Sequence, residues 1–204
     1  MSSKAYKPPK GQQQTIFTIG HSTRTFDQFL DLLQAHEIER VIDIRTIPRS
    51  RRNPQYSQDV LGPALEAAGI KYVHLKELGG LRRPKPDSKN AGWRNASFRG
   101  YADYMATPEF EIALSRAIQL SQAKPTALMC AEAVPWRCHR SLVADALTAR
   151  KFVVKHIMSA KLANEHELTP FAQIRGERVT YPSEKRARRK SASEESKQQL
   201  KLKL

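Results

Sequence analysis

The chain has 204 residues, of which 40% are hydrophobic and 27% charged, a balance that suits one globular domain with a full core better than two. No apolar run nears the roughly 20 residues of a membrane helix, and the polar start has no apolar centre for a secretory signal. Membrane association is therefore not expected, and a cytoplasmic location is. Lys and Arg number 35 against 20 Asp and Glu, a formal charge of +15 that favours anionic partners, small molecules or nucleic acid.

In chain order, residues 1–14 read as a disordered polar N-terminus, 15–160 as an α/β core domain, 161–182 as a C-terminal extension packing on that core, and 183–204 as a disordered basic tail. Short β-branched or aromatic runs at 15–19, 41–44, 72–75, 126–129 and 153–157 read as strands buried on both faces. Helical patterns separate them. Thr25 and Gln28 form a capping box ahead of Phe26, Phe29, Leu30 and Leu33, and Val60, Leu61, Ala64, Leu65 and Ala68 make a second stripe closed by Gly69. A helical piece over 98–105 precedes a helix that Thr107 and Pro108 start, and a last one opens at Pro135 and turns Leu142, Val143, Ala146 and Leu147 inward. Alternating strands and helices predict an α/β three-layer sandwich with a mainly parallel, roughly five-stranded sheet.

In such sheets ligands bind at the carboxyl ends of the strands, and the conspicuous polar groups fall there. His21 and Ser22 follow the first strand, Asp43 and Arg45 the second, Lys76 and Glu77 the third, with Gly79 and Gly80 beyond them as substrate-binding candidates, and Cys130 and Glu132 the fourth. The densest cluster is the stretch from Cys130 to Arg140, which carries both cysteines of the chain, Glu132, Arg137, His139 and Arg140. With only two cysteines no disulfide framework is expected, and both are candidate thiols.

These motifs resemble a known family, the uncharacterised one catalogued as domain of unknown function 488. The resemblance rests on Thr18 to Ser22, on Asp43-Ile44-Arg45 followed by Pro48 and Ser50, on Leu78-Gly79-Gly80, and on Met129 to Glu132 with Cys138-His139-Arg140. It covers residues 15–158, implies the α/β fold, and leaves both tails outside. It supplies no mechanism.

Three chemistries suit the cluster. Cys138 near a helix start, or Cys130, would act as a thiolate nucleophile, with His21 preferred as base because adjacent His139 would point about 100° away on a helix, and with Glu132 orienting the base or serving as acid/base. Alternatively Cys130, Cys138, His139 and Glu132 would hold zinc or iron, although no cofactor is required and the local spacing is not that of a chelate. Thirdly, Ser22 with neighbouring backbone amides, and Arg45 and Arg140, would bind a phosphate or carboxylate, unless Asp43 takes one arginine in a structural ion pair. The long loop from 77 to 95 reads as a lid or binding loop, and its Trp93, with Tyr56, would stack a base if the partner is nucleic acid. No P-loop, dinucleotide fingerprint, nucleophile elbow or nucleic-acid-binding fold signature occurs in the chain. The reading is of an enzyme acting through Cys138 or Cys130, with His21, Glu132 and His139, on an anionic, phosphate-bearing or nucleic-acid-related substrate. Its competitor is a non-catalytic nucleic-acid-associated protein that binds through basic loops and tail.

Overall fold

The computed structural model describes residues 13–183; the basic tail expected beyond Ser183 and most of the N-terminal stretch lie outside the described residues. The five expected strands are β1 (Thr15–Gly20), β2 (Arg40–Asp43), β3 (Lys71–His74), β4 (Thr126–Cys130) and β5 (Val153–Ser159). They are parallel, in the order β3-β2-β4-β1-β5. A sixth strand, β6 (Leu162–Glu165), adds antiparallel to β5, and a separate hairpin joins β7 (Gln173–Arg175) to β8 (Arg178–Thr180). The sheet thus has six strands, the sixth on an edge.

Period-two alternation sends side chains to both faces. On β4, Ala127 and Met129 pack with Phe29, Leu33, Leu61 and Leu65 of α1 (Phe26–Ala35) and α2 (Gln58–Ala67). Leu128 and Cys130 point the other way, into a core with Tyr101, Leu114 and Leu142 from α3 (Ala96–Tyr104), α4 (Pro108–Ala123) and α5 (Arg140–Ala149). Helices therefore cover both faces, the three-layer arrangement. The Thr25 capping box forms, Thr107 caps α4 with Pro108 at its first position, and Gly69 adopts φ +80, a conformation that costs glycine little. Val60, expected inside, is 48% exposed.

α5 corrects the sequence reading. Residues Pro135–Arg137 form a separate 3-10 turn, Cys138 is extended at φ −131 and ψ 144, and the helix begins only at Arg140. Proline suits the first position of either helix type, so the sequence signal marked the turn rather than α5.

Candidate active site

β4 lies between β1 and β2, and both neighbours lead into helices on one face while β4 leads into α5 on the other. Such a switch of direction opens a crevice above the strand ends. A cleft of about 600 Å³ occupies it, with His21, Arg49, Arg137, Cys130, Cys138 and His139 among its lining residues.

Both sulfurs face one imidazole nitrogen: His139 Nδ1 is 3.7 Å from Cys138 Sγ and 4.0 Å from Cys130 Sγ. The other ring nitrogen, Nε2, lies 3.2 Å from the Ile44 carbonyl. A carbonyl only accepts, so Nε2 carries the proton and Nδ1 turns its lone pair to the two thiols. His139 is thus the base in reach. The expected 100° separation from Cys138 does not apply, because neither Cys138 nor its turn belongs to the helix.

The two thiols are unequal. A hydrogen bond from the Cys130 thiol, helped by the charge and N–H groups of Arg140, brings Cys138 down to about 7 against the opposing effect of burial. The same pair interaction, reinforced by burial, pushes Cys130 far up. Cys138 is therefore the more acidic thiol of the pair and Cys130 the one that keeps its proton. Both are free thiols.

His21, expected as the base, is engaged elsewhere. Its Nδ1 donates to the Ser22 carbonyl at 2.8 Å, its Nε2 accepts from Arg45 Nη1 at 3.2 Å, and its ring stacks on Tyr56 at 4.0 Å. Burial, and then the Arg45 charge, lower it to about 4, so it is neutral at neutral pH with both nitrogens occupied. Arg45 in turn is forked onto Asp43, Nε at 2.9 Å and Nη2 at 2.6 Å, and also donates to the Tyr56 carbonyl. Tyr72 completes the carboxylate at 2.7 Å. The Asp43–Arg45 pair is fully buried and is a structural ion pair, the alternative the sequence left open.

Arg140 is likewise structural. It is 1% exposed, and its guanidinium donates to the carbonyls of Glu132 and Ala133, which fixes the loop after β4. The amides of His21 and Ser22, expected as anion donors, bond instead to the carbonyls of Cys130 and Ala131. Ser22 takes φ 55 to do so. Glu132 lines the cleft, and its carboxylate accepts from the Ala133 amide; it is not among the three side chains whose donor atoms lie within 4.8 Å of one another, namely Cys130, Cys138 and His139. Those three atoms, two of them sulfur, match the softness of a zinc or iron site with an open position.

Gly79 and Gly80, expected at the substrate, act as spacers. A Cβ on Gly80 would overlap the His139 ring, and one on Gly79 would overlap Thr46. Trp93 stands away from the cleft, in an aromatic cluster with Phe98, Phe171 and Tyr181. The long loop is anchored, with Asp103 accepting from the Lys85 amide, Ser88 and Asn90 and Arg82 lying 3.6 Å over the Tyr104 ring, while its Gly80 and Leu81 line the cleft.

The positive groups left for a ligand were not singled out as site residues in the sequence. Arg49 and Arg137 line the cleft, both are exposed, and neither guanidinium has a hydrogen-bond or ion-pair partner among the described residues.

The fold and site define a doubly wound α/β protein with a thiol–imidazole cluster at its switch point. The chain belongs to the family described as "Domain of unknown function DUF488", whose match spans residues 25–147, more than half of its length. No curated protein and no solved structure matches it. Among the described residues no helix is long and apolar enough to cross a membrane.

Proposed function

We propose that the protein is a cysteine-dependent enzyme in which the Cys138 thiolate attacks an anionic substrate held by Arg49 and Arg137. The observation that carries this reading is the placement of both thiols on the unprotonated nitrogen of His139, in a cleft that Arg49 and Arg137 also line. The Arg140 amide at the start of α5 adds a helix N-terminus to the thiolate's stabilisation. Cys138 is the nucleophile, Cys130 the thiol that stabilises it, and His139 the proton acceptor. His21, Asp43 and Arg45 brace the strand ends, and Arg140 braces the loop. A phosphate or carboxylate suits two exposed guanidinium groups.

The non-catalytic nucleic-acid reading keeps the arginines at 49, 51 and 52 in its favour. Against it, Tyr56 is fully buried under His21 and Trp93 is packed among other rings, so neither residue expected to stack a base is free to do so.

The test compares alkylation of Cys138 by iodoacetate and by iodoacetamide, which differ in charge. The proposal expects the anionic reagent to be favoured over its ratio at free glutathione, with the advantage falling as salt rises and on Arg49→Ala or Arg137→Ala. A ratio no higher than that of free glutathione at low salt overturns it.

A further inference from the structure

Resting on that reading of Cys138, we propose that Cys130 and Cys138 form a dithiol/disulfide couple that reduces a low-molecular-weight anionic disulfide, with Cys138 attacking and Cys130 resolving. Four observations point there. The two sulfurs and His139 Nδ1 lie within 4.8 Å of one another, so a bond of about 2 Å requires side-chain rotation and a small adjustment of the loop rather than unfolding. Cys130 closes a central strand, whereas Cys138 sits in the extended link between a 3-10 turn and α5, its amide on the Pro135 carbonyl and its carbonyl on Ser141, so a fixed strand end faces a short linker. Both thiols line the same cleft, so an adduct on Cys138 stays within reach of Cys130. And Arg49 and Arg137 stand at that cleft without partners among the described residues, placed for the carboxylates of a small oxidised thiol.

The chemistry balances with no other co-reactant. The Cys138 thiolate attacks one sulfur of the disulfide RSSR; a Cys138–SR bond forms, the S–S bond breaks, and RS⁻ leaves. Cys130 gives its thiol proton to His139 Nδ1 and attacks Cys138 Sγ. The Cys130–Cys138 bond forms as the second RS⁻ departs, and His139 returns the proton to it. The disulfide gains two electrons and the protein dithiol loses them. Oxidation also removes the nucleophile of the proposed enzyme until a reductant restores it.

The experiment treats reduced full-length protein with glutathione disulfide at low salt and follows intact mass, peptide map and released thiol. The wild type is expected to give the internal disulfide and two equivalents of glutathione. Cys130→Ser should stop at one glutathione bound to Cys138, with one equivalent released. Cystamine, a dicationic disulfide, should react more slowly by about tenfold or more, and the gap should close at high salt. A wild type that stalls as a stable Cys138 adduct, forms no internal bond, or takes cystamine as readily overturns the inference, and this arm decides even if the serine variant fails to fold. If Cys138 still shows the iodoacetate preference in that case, only the couple is lost. If it shows neither behaviour, the thiolate reading falls with it.

Discussion

Removing the Cys130 donor should make Cys138 a more basic and, near neutrality, slower thiol. The Cys130 hydrogen bond is the largest influence lowering Cys138 to about 7, and the Arg140 contacts remain in a Cys130→Ala variant. A hydrogen bond to a charged group is worth about 1.5–3 kcal/mol, which is roughly one to two pH units in the alkylation midpoint. The midpoint should therefore move from about 7 to about 8–9. At pH 6 the thiolate population falls about 10- to 100-fold, but a more basic thiolate is a better nucleophile with a Brønsted slope near 0.45, so the net rate falls only about three- to tenfold. Above the midpoint the sign reverses, and the variant's plateau should lie above the wild type's by about three- to eightfold. Site-resolved iodoacetamide labelling from pH 5 to 10 reads all three quantities. A midpoint that stays put or moves down, or a wild-type Cys138 that titrates with an ordinary thiol, would refute the assignment of Cys138 as thiolate and Cys130 as donor.

Gly80→Ala should leave the fold largely intact and detach the chemistry, because the added Cβ would displace the His139 ring from both thiols; overpacking of this kind costs about 1–3 kcal/mol, and a variant with wild-type Cys138 reactivity would contradict the role given to His139. Asp145 is completely buried and accepts from His166, from the Thr169 amide and hydroxyl, and from Tyr181, so Asp145→Ala strands four donors and should destabilise by about 3–5 kcal/mol. Limited proteolysis should then cut first within 161–183, and an unchanged cleavage pattern would count against that anchor. Acid stability follows from His21, held at about 4, and His156, held at about 3, both chiefly by burial. Since the unfolded imidazoles titrate near 6.5, the unfolded chain binds protons first; stability is complete above about 7 and drains as pH falls toward 4, by about 2 kcal/mol per histidine between pH 7 and 5. Urea unfolding at those two pH values measures it, and equal stability at both would show that neither histidine is buried neutral.

The legible parts of the fold are those where one local signal decides. Short β-branched runs placed all five parallel strands, and the Thr25 capping box placed α1 to the residue. β6 and the β7–β8 hairpin were not legible, since strands of three or four residues with mostly exposed side chains carry no alternation. In the site, the cluster of residues was legible and its wiring was not. Residues i and i+2 share a face of an extended chain, so the spacing of Asp43 and Arg45 already hinted at their pairing. Asp145, a lone carboxylate between alanines on an apolar helix, was an unread sign of the anchor for 161–183. The choice of His139 over His21 could not be read, because it turns on the extended Cys138, two residues short of where α5 begins.

The proposed chemistry requires Cys138 to be a free thiolate rather than one of a set of metal donors. Elemental analysis of protein prepared without chelators, with site-resolved iodoacetamide labelling of the same sample at pH 6, tests this most directly. Metal well below one equivalent is expected, with labelling of Cys138 ahead of both Cys130 and free glutathione. One zinc or iron per chain, with both cysteines protected until a chelator is added, would contradict it.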